Sequence, residues 1–397
     1  MQLVQLVRRP QSKGGAITVR RLIQAVLGVT LLILLTSLTA LAQSAEPIKI
    51  GVYEPMTGAM AAGGQMTWEG IALAHEMQPT VLGRPIKLIL VDNKSDKVES
   101  ANAVARLVEQ EKVVAIIGSY GSSNSIAGGD VAEKAGIPMV TDSATNPLVT
   151  QGKKFVFRAC FIDPFQGEVM AKYAFHNLKL TKVAILKDVA QDYSVGLANY
   201  FKKTFTKLTG DPKSVVAEVA YQTGDQDFTA QLTQVISSKA EALFVPGYFG
   251  DAALIAKQLR QLGSKIPILG GDALDAPELM SIGGKAVEGV TISSFYSAEA
   301  PANEVARKFV AAYKSKYGKT PNANAALGFD TYNMVVDAIR RAGSTDPKAI
   351  RDALATTKGF IGVTGSITID ENGDATKDAV ILRVENGVFR YVTTIHP

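Results

Sequence analysis

The sequence predicts an α/β protein of two serial, doubly wound lobes, and three observations carry that expectation. After Pro47, short apolar runs alternate with amphipathic segments, the order that builds parallel sheets covered by helices. The alternation runs through two series of similar size, one closing near residue 140 and the other near residue 269. At 397 residues, 47% apolar and 20% charged, the chain is long enough for about two domains that each bury a core.

In the first series Ile48–Val52 reads as a strand and Thr67–Met77 as a helix carrying Ile71, Leu73 and Ala74. Ile86–Val91 is a strand, and Glu99–Glu111 is a helix with Val104, Leu107 and Val108 at helical spacing. Val113–Ile117 is a strand closed by Gly118, and Ser125–Ala135 and Pro138–Val140 continue the alternation. The second series takes Val183–Leu186, a helix over Val195–Leu208, Val215–Ala220 and a helix over Phe228–Ser238. Ala242–Val245, a helix over Ala252–Leu262 and Ile266–Leu269 complete it. Beyond these, helices are expected near Asn303–Tyr317 and Phe329–Ala342, then strands at Ser366–Ile369, Ala379–Val384 and Val388–Ile395. Asn372-Gly373 and Asn386-Gly387 are hairpin turn signals between those strands. No low-complexity linker separates the series, so the lobes are expected to be joined by several short crossings that act as a hinge.

The net charge of +5 does not mark a basic binding surface. Arg8, Arg9, Lys13, Arg20 and Arg21 lie in residues 1–42, which hold no acid; removing those five of the 42 basic residues leaves 37 against 37 acids. The basic start, the apolar stretch Leu22–Leu41 and the terminal Ala40-Leu41-Ala42 read as a secretory signal peptide over 1–42. An uncleaved anchor is the alternative, since the stretch is long enough to span a bilayer. Its Thr, Ser and Gln residues and its small-x-small end favour cleavage after Ala42, giving a periplasmic chain of 355 residues. One cysteine, Cys160, excludes an intramolecular disulfide framework and reads as a buried, inert thiol.

Catalytic signatures are absent: the sequence holds no phosphate loop, no dinucleotide-binding glycine pattern and no nucleophile elbow. His75, His176 and His396 are too scattered for a metal site, and no cofactor or metal is expected. Asp370-Glu371-Asn372-Gly373-Asp374 lacks the glycine and the distal glutamate of a calcium loop, and reads as a solvated hairpin turn. What remains are loops that follow expected strands, where open α/β sheets bind ligands. Gly118-Ser119-Tyr120-Gly121-Ser122-Ser123-Asn124 and Asp142-Ser143-Ala144-Thr145-Asn146-Pro147 offer short donors in the first lobe. The hydroxyls at 122 and 123 either cap a helix or, with its free N–H groups, hold a carboxylate. In the second lobe Asp188, Asp192-Tyr193-Ser194, Gly247-Tyr248-Phe249 and Gly270-Gly271-Asp272 place acids beside aromatic rings, a setting for an ammonium group. Asp272 as a plain helix cap is the competing account.

These residues, in order, resemble the periplasmic leucine/isoleucine/valine-binding protein family of type I periplasmic binding proteins. The resemblance rests on Gly51-Val52 through Pro55-x-Thr57-Gly58, Gly118-x-x-x-Ser122 and Ser143-Ala144-Thr145-Asn146-Pro147. Phe157-Arg158, Phe165-Gln166-Gly167, Asp192-Tyr193, Pro246-Gly247-Tyr248 and Asp370-x-Asn372-Gly373-Asp374 extend it over nearly all of 47–397. It implies two Rossmann-like lobes joined by a three-strand hinge with the ligand in the interlobe cleft. The lobes it implies are 46–163 plus 297–378, and 164–296 plus 379–397.

The resemblance also implies roles. Ser122, Ser123 and Thr145 would hold a ligand carboxylate, while the Ser143 carbonyl and Asp272 would take its ammonium; Tyr193 and Tyr248 would close over it. Tyr120, Ala144, Phe249, Gln65 and Trp68 are weaker candidates for the cleft walls. Relatives often carry Glu where this chain has Asp272, and the shorter side chain leaves about a methylene more room. The expected function is therefore an amino-acid-binding component of an ATP-driven importer, not an enzyme, with a branched-chain or other apolar amino acid as ligand. Its expected partner is an inner-membrane ABC permease, with no nucleic acid, and the protein is expected to be a monomer. Binding of an amide, urea or an aromatic acid, or service as a periplasmic sensor, is the alternative.

Overall fold

The computed structural model describes residues 46–397, and the leader expected over 1–42 lies outside them. Among the described residues no helix is long and apolar enough to cross a membrane. The first apolar run forms β1 (Ile48–Glu54), buried along almost its whole length, as a strand covered on both faces must be. It is followed by α1 (Ala61–Met77), β2 (Thr80–Val81), β3 (Arg84–Asp92), α2 (Lys97–Glu109), β4 (Ala115–Ile117), α3 (Ser122–Ala135), β5 (Met139–Thr141) and β6 (Val156–Arg158). These strands form one sheet in the order β2-β3-β1-β4-β5-β6, parallel except where β2 meets β3.

The second run repeats the plan. It comprises α4 (Asp163–Lys172), β7 (Val183–Asp188), α5 (Asp192–Thr209), β8 (Val215–Tyr221), α6 (Thr229–Ser237) and β9 (Ala242–Val245). It continues with α7 (Phe249–Gln261), β10 (Ile268–Gly270), α8 (Pro277–Gly283) and β11 (Thr291–Ser294). The order β8-β7-β9-β10-β11 reproduces β3-β1-β4-β5-β6 strand for strand. Each sheet therefore reverses its winding beside its first strand, and ligands of open α/β sheets bind at the carboxyl ends near such a reversal.

The chain then returns to the first lobe as α9 (Glu304–Tyr317), α10 (Ala323–Ala342), α11 (Pro347–Ala355) and the small sheet β12 (Phe360–Gly362), β13 (Gly365–Ile369) and β14 (Ala375–Thr376). It ends by adding β15 (Ala379–Glu385) and β16 (Val388–Ile395), antiparallel, to the edge of the second sheet. Three segments thus pass between the sheets, after β6, after β11 and after β14, and they pack on one another. Phe161 of the first stacks against Phe295 of the second, with ring centroids 4.2 Å apart. Lys377 of the third donates to the Ala159 carbonyl at 3.4 Å and to the Thr364 hydroxyl, and lies 6.0 Å from the Phe295 ring. Burial pushes its ammonium down to about 8.

Several helices start earlier than their apolar pattern indicates, or carry no pattern at all. α1 begins at Ala61 rather than Thr67, through Gly63 and Gly64, which disfavour helix. Both are required by close approach: a Cβ at Gly63 would sit 2.5 Å from the Tyr120 ring and one at Gly64 2.4 Å from the Pro55 carbonyl. α10 begins at Ala323 rather than Phe329, and every residue from Ala323 to Tyr332 is buried, so it shows no polar stripe. Its close crossing with α1 leaves no room for side chains; a Cβ at Gly328 would lie 2.2 Å from the Thr67 carbonyl. α4 is not among the helices expected from the sequence, and it carries Pro164 and Gly167. Proline is tolerated in a first turn, and Gly167 lets the helix meet Tyr200, where a Cβ would come within 2.7 Å.

The Asp370–Asp374 turn does join two antiparallel strands, β13 and β14, yet it is not simply solvated. Arg158 donates its backbone N–H to the Gly373 carbonyl at 3.0 Å and its Nε lies 2.6 Å from Asp374 Oδ1. The turn is docked on the first lobe through a buried cation, which corrects the expectation.

Candidate functional site

The loops singled out in the sequence follow β4 and β5 in one lobe and β7, β9 and β10 in the other, and they meet across the interlobe cleft. In the first lobe Glu54, at the end of β1, accepts a hydrogen bond from the Tyr120 N–H at 2.9 Å and is fully buried. Burial, then the neighbouring Asp142 charge, raises its carboxyl well above the usual range. Asp142 in turn accepts from the Ser143 hydroxyl at 2.8 Å, so that hydroxyl is engaged within its own loop.

At the start of α3 the cap position is Gly121 and no side chain caps the helix, so Ser122 and Ser123 are not capping residues. The Ser122 hydroxyl accepts from the Asn146 N–H at 3.3 Å, which joins the two first-lobe loops. Ser123 reaches the other lobe: its hydroxyl donates to Asp192 Oδ2 at 2.9 Å and accepts from the Asp192 N–H at 3.1 Å. Asn146 adds a third bond, donating to the Asp192 carbonyl at 2.7 Å. Thr145 is buried with its hydroxyl beside the Asp163 carboxyl, whose pKa burial raises to about 7 against the opposing influence of that hydroxyl. Ala144 contributes its carbonyl to Arg158 at 2.7 Å and to the Cys160 thiol at 3.4 Å. Cys160 is fully buried, and burial raises its thiol far above its usual value.

In the second lobe Asp272 opens a short turn, Asp272–Leu274, whose cap position is Gly271, so the helix-cap account of Asp272 does not hold. Its Oδ1 accepts from the Tyr193 hydroxyl at 3.0 Å and from the Gln166 amide at 2.5 Å. Burial, then the Asp163 charge, raises the Asp272 carboxyl well above its ordinary value. The Tyr193 and Tyr248 rings lie 5.6 Å apart, and Tyr248 lies 5.8 Å from Tyr120 of the first lobe. Tyr120 closes the circuit by donating to the Ala273 carbonyl at 3.3 Å. Tyr120, Tyr193, Tyr248 and Asp272 thus form one interlobe group.

Three weaker candidates stay outside it. Phe249 packs in the second-lobe core with Tyr221 and Leu274. Gln65 is exposed and its amide donates to the Met56 carbonyl at 2.9 Å, and Trp68 is half-buried against a hydrophobic core. Two residues that matter carried no assigned role in the sequence, Gln166 and Arg158. The available signal for Arg158 was an arginine inside the apolar run Val156-Phe157-Arg158, a cation that must find partners if buried. Among the described residues no cluster of three or more His, Cys, Asp or Glu side chains is placed to hold a metal.

A cleft with hydroxyls and amides on one wall and a buried carboxyl with aromatic rings on the other defines a two-lobed receptor that closes on a small solute. The chain belongs to the periplasmic binding protein family, whose model matches residues 47–388. It is 32% identical over 339 residues to a Leu/Ile/Val-binding protein homolog of Brucella melitensis, covering 82% of this chain and 88% of that protein. The solved leucine-binding protein LivK of Thermotoga maritima is 50% identical, with a TM-score of 0.86 over 88% of this chain and 99% of its own. The branched-chain amino acid binding protein LivJ of Streptococcus pneumoniae, solved in complex with isoleucine, is 32% identical with a TM-score of 0.83, covering 89% and 100%.

Proposed function

We propose that this chain is the extracytoplasmic amino-acid-binding component of an ABC importer, which closes on a branched-chain or other apolar amino acid and delivers it to an inner-membrane permease. The observation that carries the reading is the buried Asp272 carboxyl of one lobe, joined to the 118–124 loop of the other by the bond from the Tyr120 hydroxyl to the adjacent Ala273 carbonyl. A zwitterion satisfies both walls at once: its ammonium answers Asp272 and the Ser143 carbonyl, and its carboxylate answers Ser122 and Thr145. Ser123 stands next to that carboxylate position, and Tyr120, Tyr193 and Tyr248 exclude water around the ligand. The lobes are 46–163 plus 297–378 and 164–296 plus 379–397, the leader is 1–42, and the exported protein acts as a monomer without catalysis. The names of the relatives support an amino acid as ligand.

A thermal-shift screen of the exported chain against amino acids, short amides and benzoates tests the reading, because a ligand that binds only the native state raises its melting temperature. An apolar amino acid should give the largest shift. Asp272→Asn should then cost about 1.5–3 kcal/mol of affinity, roughly 10- to 150-fold. A shift with amides or benzoates alone, or an affinity unchanged in Asp272→Asn, would sink the assignment.

A further inference from the structure

We propose that Gln166 is the positioning residue that holds the Asp272 carboxylate ready for the ligand ammonium. This rests on the reading of Asp272 given above and adds a residue from a separate helix. Gln166 closes the first turn of α4 and is completely buried. Its Nε2 donates to Asp272 Oδ1 at 2.5 Å, and the Tyr193 hydroxyl donates to the same oxygen at 3.0 Å. Two donors on one oxygen fix the plane of the carboxylate and leave Oδ2 for the ligand. An aspartate needs such a clamp more than a longer acid would, because it must meet the ammonium with one methylene less of reach.

The amide is itself held in place by packing. Its Oε1 has no hydrogen-bond partner and sits against Gly271, where a Cβ would come within 2.4 Å of it and within 2.3 Å of the Tyr193 hydroxyl. Glycine at 271 is therefore what allows both donors to reach Asp272. The Tyr193 hydroxyl opposes the influences that disfavour a charged Asp272, its burial and the charges of Asp163 and Asp275. The Gln166 amide, as a second donor to the same oxygen, acts in the same sense. Around Asp272 stand Asp163 and Gln166 of α4, Tyr193 of α5, Tyr248 ahead of α7, Asp275 of its own loop and Tyr120 of the opposite lobe. Among these, Gln166 and Tyr193 are the side chains that donate to it. A carboxylate stripped of one of two donors takes up a proton at higher pH, so the loss should show as a pH dependence as well as a weaker affinity.

Calorimetric titration of L-leucine into the wild type, Gln166→Met, Asp272→Asn and the double variant tests this. Methionine keeps the volume, and because Oε1 is unpartnered it deletes a single hydrogen bond. Gln166→Met should weaken binding at least tenfold where Asp272 is present and less than twofold in the Asp272→Asn background. Its affinity should also fall away at a higher pH than that of the wild type as the solution is acidified. Gln166→Glu, a second variant of equal size, should bind more than tenfold more weakly than the wild type at pH 8 and recover toward it at pH 5, where a shared proton restores the hydrogen bond. Equal losses in both backgrounds would mean a merely structural role and overturn the proposal, as would affinities for both variants within twofold of the wild type. A wild-type protein that binds no amino acid overturns the reading of the site itself; a wild type that binds while both variants bind equally well overturns the role of Gln166 alone.

Discussion

Removing the Arg158 guanidinium should cost this protein both stability and its ligand, and the structure sets the scale. Arg158 is among the largest fully buried side chains, and all its polar contacts are within the first lobe. Its Nε lies 2.6 Å from Asp374 Oδ1, its Nη1 donates to the Ala144 carbonyl at 2.7 Å, and its Nη2 donates to the Asn146 carbonyl at 3.0 Å and the Thr150 hydroxyl at 2.9 Å. Arg158→Met leaves the Asp374 carboxylate without its cation and takes one donor each from the Ala144 and Asn146 carbonyls, which keep only the Cys160 thiol and the Val149 N–H. Breaking a buried ion pair in this one-sided way costs about 3–5 kcal/mol. At roughly 2–4 °C per kcal/mol for folding units of 150–250 residues, the melting temperature should fall by about 6–20 °C. Thermal unfolding followed by circular dichroism reads the first effect, and titration with the amino acid found by screening reads the second, expected as a loss of about tenfold or more. Arg158→Lys keeps the charge without the planar fork and should fall between. A melting temperature within 2 °C of wild type together with unchanged affinity would refute the idea that this cation organises the loop.

Two further outcomes follow from the same geometry. Ser123→Ala removes the hydroxyl that bridges the lobes through Asp192 and should weaken binding about three- to thirtyfold, with the melting temperature of the ligand-free protein hardly changed; small-angle scattering that shows equal closure with and without the hydroxyl would contradict it. Asp163 carries a carboxyl raised to about 7 by burial, against about 3.9 in an unfolded chain. The folded state therefore holds an extra proton between those values, and the stability this confers is full below about pH 4 and is lost as pH rises through 7. Asp163→Asn should gain on the wild type in melting temperature from pH 4.5 to pH 7.5, and an equal difference at both would show that the group does not titrate as described.

What the sequence made legible depended on whether the relevant force was local. The strands were readable because a parallel strand buried on both faces is a short apolar run; Ala242–Val245 is unbroken, and Ile48–Val52 is interrupted only at Lys49. The repeated alternation was enough to expect two sheets. The helices that escaped notice were those whose composition answers to a partner: Gly63, Gly167 and Gly328 are poor helix formers, retained where another chain segment comes within contact distance. Site loops were visible as strand-end clusters of short polar residues. The partners of those residues were not, since Gln166 meets Asp272 from 106 positions away and Ser123 meets Asp192 from 69. Hydroxyl residues at a helix start look alike whether they cap, bind or latch; capping is excluded by the cap at Gly121, and the bonds of Ser123 to Asp192 come from a distant part of the chain.

That choice divides two adjacent serines. A hydroxyl has a single proton to donate, and in the closed protein Ser123 gives its proton to Asp192 Oδ2 while accepting from the Asp192 N–H. It therefore cannot donate to a ligand carboxylate without releasing the opposite lobe. Ser122 only accepts, from the Asn146 N–H, and retains its proton. In the proposed reading one serine serves the ligand and its neighbour serves closure, and Asn146 links them, because it donates its backbone N–H to Ser122 and its side-chain amide to the Asp192 carbonyl. A ligand that orders the 142–146 loop around its carboxylate sets Asn146 for the latch, and a formed latch holds that loop for the ligand. Affinity in such an arrangement contains the open–closed equilibrium as a factor, so a residue that never touches the ligand changes the measured dissociation constant by the free energy it adds to the closed form.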